Sequence, residues 1–209
     1  MCKVLGVAFL DNADPSLCRG LDTEKACLGF LTADSDDVTY IALDEATKSA
    51  DVEVVFAKSF YAGAKNATTP YAGEVIGVLA GSTPGAVRAG MERAVAVAKS
   101  LDFREVEGVP FLAHTVSACG SFLAGEAGVS PGESLAYLIA PPLESMVALD
   151  GALKATDAKL CKLYTPPTPT NFGGGLLTGS RSACESACQA FSQAVEQMAR
   201  NQMGGLDGV

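Results

Sequence analysis

The stretch Leu28–Val54, LGFLTADSDDVTYIALDEATKSADVEV, decides the fold because it contains one complete strand–helix–strand unit. The apolar segment Ala26–Ala33 predicts a strand that is covered on both faces. The turn after it carries three aspartates: Asp34, Asp36 and Asp37. Apolar residues then recur at helical spacing, and Asp51–Ala57 alternates in the manner of a half-buried strand, with Val52, Val54 and Phe56 on one face.

The chain repeats this unit at Leu135–Leu160, LAYLIAPPLESMVALDGALKATDAKL. In the alignment of the two copies, Asp44 corresponds to Asp150 and Lys48 to Lys154. Two copies of one supersecondary unit predict a tandem duplication. The three aspartates occur in the first copy only, where the second copy has two prolines. We therefore expect the first copy to carry a function that the second lacks.

Each half of the 209-residue chain shows the same order of predicted elements: strand, strand, helix, strand, loop, strand, helix. This order predicts an α/β (α+β) protein with two sheets, each carrying its helices on one face. We place the boundary in the polar stretch Arg104–Gly108. Residues 1–107 then form a first domain with a long loop at 58–73, and residues 108–209 form a second domain with a flexible tail at 201–209.

Local signals give the ends of several elements. Asp34 is predicted to cap the first long helix, with Asp37 three positions later. Thr83 is predicted to cap the helix that begins at Pro84, and Ser180 or Ser182 to cap the last helix. The segment 11–20, DNADPSLCRG, is predicted to be a turn-rich linker.

Composition argues against several classes of partner and cofactor. The net charge of −9 argues against nucleic acid or an anionic lipid membrane as a partner. The seven cysteines are scattered, include no CxxC pair, and accompany a single histidine, so we expect a reducing compartment, no metal site and no cofactor. The glycines form no phosphate-binding motif, and no nucleophile–base arrangement indicates catalysis.

Two short segments carry a family resemblance: Asp44–Val52, DEATKSADV, and Asp150–Ala158, DGALKATDA. Both resemble the helix-to-strand signature of bacterial microcompartment (BMC) shell domains. Because a strand pair precedes each signature, the arrangement resembles the circularly permuted tandem class, of the ethanolamine-utilisation type. The strings LTADSDDVTY at 31–40 and APPLE at 140–144 carry the closer match, which extends over residues 26–200.

The resemblance implies two tandem circularly permuted BMC domains with ferredoxin-like sheets, assembling as a pseudo-hexameric trimer. It implies a structural shell protein rather than an enzyme, located in the cytoplasm in the shell of a bacterial microcompartment. The expected partners are two further copies of the chain and other shell proteins, which pack as flat tiles. The tile is expected to carry a gated central pore and acidic small pores for small substrates or cofactors.

The resemblance also implies roles for individual residues. Lys48 and Lys154 lie where BMC domains place a tile-edge lysine; the alternative is that each complements the dipole at the end of its helix. The pore-gating loop corresponds to Ser59, Phe60, Tyr61, Ala62 and Gly63. An ordinary surface loop is the alternative there.

The acidic small pore corresponds to five residues: Asp36, Asp37, Glu74, Phe103 and Thr178. A narrow passage lined by carboxylates concentrates a cation, and an aromatic ring adds cation–π attraction. The candidate ligand is a small ammonium-bearing alcohol such as ethanolamine. The alternative is that Asp34 and Asp37 only cap a helix.

Other polar and sulfur side chains have structural interpretations. His114 is interpreted as a core or interface residue, and Cys184 and Cys188 as residues of the core. Two further functions stay open. One is a soluble small-molecule sensor built on duplicated ferredoxin-like domains. The other is a shell protein with an iron–sulfur cluster, although neither predicted loop carries a cysteine.

Overall fold

A computed structural model describes residues 2–61 and 73–201. This part of the chain forms the strands β1 Val4–Leu10, β2 Cys27–Ala33, β3 Val52–Ser59, β4 Val75–Gly81, β5 Arg104–Val106, β6 Val109–Val116, β7 Ser134–Ala140, β8 Lys159–Tyr164 and β9 Gly173–Gly179. Its helices are α1 Pro15–Gly20, α2 Asp36–Ser49, α3 Pro84–Ser100, α4 Ser121–Ala127, α5 Pro142–Ala155 and α6 Arg181–Asn201. None of the described helices is both long and apolar enough to span a membrane.

The chain folds into two compact units. The first consists of Met1–Asp102 and Cys119–Gly125, and the second of Phe103–Ala118 and Glu126–Val209. The chain passes from one unit to the other after Asp102, and a short segment of the second repeat belongs to the first unit. The predicted division at 107/108 separates the two sequence repeats and stays a prediction, because the compact units follow a different boundary.

In the first unit, four antiparallel strands form a sheet in the order β1-β2-β4-β3. Helices α2 and α3 pack on one face, as the sequence predicts. Their approach is close: a Cβ atom at Gly29 would lie 2.8 Å from the Val87 side chain of α3, and one at Gly77 would overlap the Leu43 side chain of α2. Glycine at these two positions lets the helices reach the sheet.

The opposite face of the first sheet is covered by α1, which the sequence did not predict. Asp14 caps this helix by accepting a hydrogen bond from the Ser16 N–H at 2.7 Å. Cys18 and Ala13 pack against Leu28 and other buried residues of β2 and β4. The prediction of a turn-rich linker is therefore wrong for Pro15–Gly20, because burial against the sheet overrides weak helix propensity.

The second unit has a five-stranded antiparallel sheet in the order β5-β6-β7-β9-β8. Its core includes Cys184 and Cys188 of α6, together with Leu149 of α5 and Leu138 of β7, so the core interpretation of the two cysteines is confirmed. The strand β5 and the helix α4 were not predicted. Both are too short to show a hydrophobic period.

Two local predictions are wrong. The N-cap of α2 is Ser35, whose side chain accepts from the Val38 N–H, while Asp34 accepts a hydrogen bond from the Lys3 N–H at 2.6 Å. Asp34 is thus held by the residue directly before β1. In β3, a bulge between Val54 and Phe56 interrupts the predicted alternation and leaves Phe56 exposed. The cap at Thr83 is confirmed, and Ser180 caps α6.

Candidate functional site

The acidic pair of the first unit lies at the N-terminus of α2. Asp36 and Asp37 are its first two residues, and both are buried. Asp36 Oδ1 accepts a hydrogen bond from the Asp37 N–H at 2.9 Å. Negative charge here is favoured by the helix dipole. Because Ser35 provides the cap, the N-cap interpretation of Asp34 and Asp37 is wrong.

Glu74 shares this acidic environment. Its pKa is raised above the usual range, first by burial and then by the negative charges of Asp36 and Asp34. The three carboxylates therefore repel one another across a partly dehydrated space. A cation placed among them would relieve this repulsion.

Tyr40 links the acidic cluster to the start of the loop at 58–73, and sequence reasoning missed it. Its hydroxyl donates a hydrogen bond to Ser59 Oγ at 3.0 Å. Burial raises the pKa of Tyr40 to about 12; the hydrogen bond with Ser59 opposes this rise, and the charges of Asp36 and Asp37 add to it. Tyr40 follows Asp37 by about one helical turn, which is the only signal the sequence offered.

Three of the five residues assigned to the gating loop are described. Ser59 ends β3, the Phe60 N–H donates to the Glu74 carbonyl oxygen at 2.9 Å, and Tyr61 is exposed. Ala62 and Gly63 lie outside the described residues. The loop thus begins beside Glu74, with its first residues tied to that strand end by a backbone hydrogen bond.

The other two small-pore candidates belong to the second unit. Phe103 packs against Phe172, with ring centroids 5.5 Å apart. The Thr178 hydroxyl donates to the Ser134 carbonyl oxygen at 3.1 Å and to Glu133 Oε2 at 3.4 Å. The structure thus groups Asp36, Asp37 and Glu74 in one unit, and it gives Phe103 and Thr178 separate partners in the other.

The two predicted edge lysines form different ion pairs. Lys48 contacts Glu45, whose second carboxylate oxygen accepts from Arg93 at 2.9 Å. Burial alone would raise the pKa of Glu45, but the two cationic partners lower it below its usual range. Lys154 pairs with Asp150 at 2.7 Å, and both of these side chains are largely exposed. An exposed pair of this kind contributes little to stability.

A buried carboxylate that sequence reasoning missed lies at Asp44. It accepts hydrogen bonds from the Gly120 N–H at 2.7 Å and the Leu123 N–H at 2.8 Å, and so holds the start of α4. Burial raises the pKa of Asp44, an effect that the two backbone donors oppose but do not cancel. Asp44 sits in a segment shared with the second repeat, and nothing in the sequence shows that only this copy is buried.

The remaining metal-ligating residue types form no site in the described part of the chain. There, no group of three or more histidine, cysteine or acidic side chains is arranged to hold a metal ion. The seven cysteines are free thiols, and all except the half-buried Cys161 are buried. His114 is half-buried in β6 and has an interaction partner.

Comparison with known proteins identifies the class first. Residues 27–109 match the BMC domain family. The fold agrees with that of a trimeric bacterial microcompartment shell protein, PduB, at a TM-score of 0.79 and 17% identity, covering 95% of this chain and 89% of the other. At this identity the likeness concerns the fold alone. The predicted architecture of tandem BMC domains is confirmed.

More similar relatives identify the family. The chain is 51% identical over 208 residues to the bacterial microcompartment shell protein EutL of Clostridium perfringens (strain 13 / Type A), covering 97% of this chain and 96% of the relative. A crystal structure of EutL from Clostridium perfringens has a TM-score of 0.94 and 50% identity, covering 99% and 96% of the two chains. The chain belongs to the family of EutL bacterial microcompartment shell proteins. The prediction of a microcompartment shell protein is confirmed.

Proposed function

We propose that three copies of this chain form one shell tile of an ethanolamine-utilisation microcompartment. The tile is a structural element rather than an enzyme, and it joins other shell proteins through its edges. Membership of the EutL family supports this proposal. The observation that carries the trimer is an apolar helix face on α5 whose counterpart on α2 is covered.

The covered face consists of Tyr40, Asp44 and Thr47 of α2. The Tyr40 ring lies 5.9 Å from that of Phe122, Asp44 holds the start of α4, and Thr47 Oγ1 accepts from the Ser121 N–H at 3.2 Å. The covering segment, Cys119–Gly125, comes from the second repeat but belongs to the first unit. A helix face of one repeat is thus buried by a segment of the other.

The open face lies on α5, where the repeat makes Met146 the counterpart of Tyr40 and Asp150 the counterpart of Asp44. Leu143, Met146 and Val147 are 67%, 41% and 48% exposed, and they follow one helical stripe that ends at Asp150, the counterpart of Asp44. A contiguous exposed apolar stripe of this kind is typical of an interaction surface.

A matching surface is exposed on the first repeat. The strand pairings β1–β2 and β6–β7 make α1 the counterpart of α4 and Leu17 the counterpart of Leu123. Leu123 is 1% exposed, whereas Leu17 is 42% exposed. We infer that the segment around Leu17 of one copy packs on the open face of the next copy, as the segment around Leu123 packs on α2 within the chain. A head-to-tail contact of this kind forms a ring where its rotation closes.

The contact between copies differs in its polar groups from the contact within the chain. Asp14 occupies the position of Gly120, where a Cβ atom would lie 2.6 Å from the Asp44 carbonyl oxygen. The contact between copies is therefore expected to keep the apolar packing of the contact within the chain but to use different hydrogen bonds. This makes the apolar residues the ones to test.

Val147→Asp tests the trimer because it places a charge in the open face, where burial of an unpaired charge is costly. We expect the wild-type chain to show the mass of three chains in size-exclusion chromatography with light scattering, and Val147→Asp to dissociate. Leu163→Asp, an equally apolar-to-charged change at an exposed leucine of β8, serves as the control. A wild-type chain that is monomeric at high concentration contradicts the proposal.

We further propose that the acidic cluster binds a small organic cation such as ethanolamine, and that the loop at 58–73 gates a central pore. Mutual repulsion among Asp36, Asp34 and Glu74 supports the first part, since a cation removes it. The hydrogen bond from Phe60 to Glu74 supports a link between the loop and the cluster.

A further inference from the structure

A hydrogen bond between Ser121 and Thr47 helps to hold α4 on α2 within the chain. The Ser121 N–H donates to Thr47 Oγ1 at 3.2 Å, and the Thr47 hydroxyl donates to the Asp44 carbonyl oxygen at 2.8 Å. Ser121 is the first residue of α4, so the helix itself offers its N–H no acceptor. Thr47 supplies the acceptor that this N–H requires.

Both partners of this hydrogen bond are replaced at the equivalent positions of the contact between copies. The repeat makes Pro15, the first residue of α1, the counterpart of Ser121, and it makes Leu153 of α5 the counterpart of Thr47. Proline has no N–H to donate, and a leucine side chain has no atom that accepts. The donor and the acceptor are therefore lost together, and neither position leaves a polar group unsatisfied.

The spacing of the two helices agrees with this replacement. Asp14 stands at the position of Gly120, where a Cβ atom would overlap Thr47 Oγ1. Because leucine is larger than threonine, this close approach is also closed on α5. The helix α1 must therefore lie farther from α5 than α4 lies from α2, and a hydrogen bond of about 3 Å would not survive the wider spacing. A proline ring and a leucine side chain can still touch across it.

The two counterparts are accessible within the single chain. Pro15 is exposed. Leu153 is half-buried, and it packs in part against the core of the second unit. It follows Asp150 by three positions and Met146 by seven, so it lies on the same helical stripe. The open face of α5 therefore extends as far as Leu153.

We propose that Pro15 of one copy packs on Leu153 of the next, and that this apolar pair makes the contact between copies specific. The pairing rests on the proposed trimer. The exchanged arrangements are disfavoured, because α4 on α5 would set the Ser121 N–H against an apolar side chain, and α1 on α2 would bring Asp14 into Thr47. Each copy therefore covers its own α2 and leaves its α5 for α1 of a neighbouring copy.

Three substitutions convert the contact between copies into the type found within the chain. Asp14→Gly with Pro15→Ser gives α1 the residues of α4, and Leu153→Thr gives α5 the residue of α2. Glycine is a tolerated N-cap residue, so α1 is expected to persist. We expect the α1 changes alone, or the α5 change alone, to raise the concentration at which trimers dissociate roughly threefold or more. The combined variant should recover most of this loss, because the new N–H then meets a hydroxyl acceptor.

Sedimentation velocity over a concentration series measures this dissociation, and urea unfolding checks that each variant is folded. Leu163→Thr, the same change at an exposed leucine of β8, is the matched control and should give no recovery with the α1 changes. A wild-type chain that never forms trimers overturns the proposed trimer and the pairing with it. Trimers in which the α1 and α5 changes act independently overturn the pairing alone.

A second measurement covers the case in which the combined variant does not fold. A Pro15→Cys chain is mixed with a Leu153→Cys chain and oxidised, and denaturing electrophoresis without reductant detects linked pairs. We expect one disulfide-linked pair of chains from this mixture. The control replaces Leu153→Cys with Leu163→Cys, which should leave the chains unlinked. Equal linking in both mixtures, or no linking in either, overturns the pairing.

Discussion

At the scale of single residues, the first repeat is distinguished by carboxylates that are partly buried and lie close to one another, which disfavours their ionised forms. Glu74 has a raised pKa because burial and the charges of Asp36 and Asp34 disfavour its ionised form. Electrostatic strain of this kind is typical of functional sites, because a ligand can relieve it. The second repeat, with its two prolines at the start of α5, has no such cluster at this position.

Glu74→Gln should weaken ethanolamine binding, since it removes one of the charges that attract the ammonium group. We expect roughly a three- to tenfold increase in Kd, equivalent to about 1 kcal/mol, in isothermal titration calorimetry. Because the pKa of Glu74 is raised, protons compete with the cation, and wild-type affinity should fall as the pH is lowered through that pKa. The variant should show a flatter pH dependence.

The same substitution, although it weakens binding, should increase the stability of the folded protein. The raised pKa means that ionising Glu74 costs more free energy in the folded state than in the unfolded state. The folded state is therefore stabilised while Glu74 is protonated, and this stabilisation is lost as the pH rises. Glu74→Gln should therefore have a higher Tm than the wild type at neutral pH, and this difference should shrink towards acidic pH. Glu24→Gln, at an exposed acid, is the control. Unchanged affinity with an unchanged pH slope would exclude Glu74 from the site.

At the scale of elements, the segment Cys119–Gly125 shows how a short helix is held by tertiary contacts. The helix α4 has too few residues to be stable alone. Its start is fixed by Asp44, and Leu123 is buried. The contact requires glycine at position 120, because any side chain would meet Thr47 and the Asp44 backbone.

Gly120→Ala should destabilise the first unit by about 2 kcal/mol, because a methyl group forces apart a packed, hydrogen-bonded contact. Urea unfolding measures the loss, and hydrogen exchange should rise in Cys119–Gly125 first. Gly125→Ala is a matched control in the same helix, where an added Cβ atom has no neighbour within 4 Å. It should be neutral or slightly stabilising. Equal effects of the two substitutions would contradict the packing argument.

At the scale of the whole molecule, the duplication gives each repeat the same helix, strand and lysine, which suits repeated packing at the edges of a tile. Lys154 is largely exposed and, among the described residues, pairs with an exposed aspartate, so a contact with a neighbouring tile would displace that pair at little cost. Lys48 is more enclosed, because Glu45 also binds Arg93. The two copies therefore differ in how readily their lysines can be recruited.

Lys154→Ala and Lys48→Ala should reduce the formation of two-dimensional sheets while leaving the trimer intact, since each removes a contact between tiles rather than within one. Lys154→Ala should change the free energy of unfolding by less than about 0.5 kcal/mol. Electron microscopy of concentrated protein measures sheets, and light scattering measures the trimer. Lys162→Ala, at another exposed and ion-paired lysine, is the control. Unaltered sheets in both variants would rule out the edge role.

The sequence by itself determined the repeat, the fold class and most long elements, because strands buried on both faces and long amphipathic helices leave a period that can be read locally. The start of α3 at Pro84, after the cap at Thr83, is correct to the residue. Through the family resemblance, the sequence also assigned Asp36, Asp37 and Glu74 to one site.

Only the tertiary structure decided which of two equivalent positions is buried. Asp44 and Asp150 are identical in the repeat, yet one is enclosed by Cys119–Gly125 and the other is exposed. The structure likewise revealed β5, the helix α1 and the true cap at Ser35. Each depends on contacts with residues distant in the chain, and a short segment carries no local pattern strong enough to predict them.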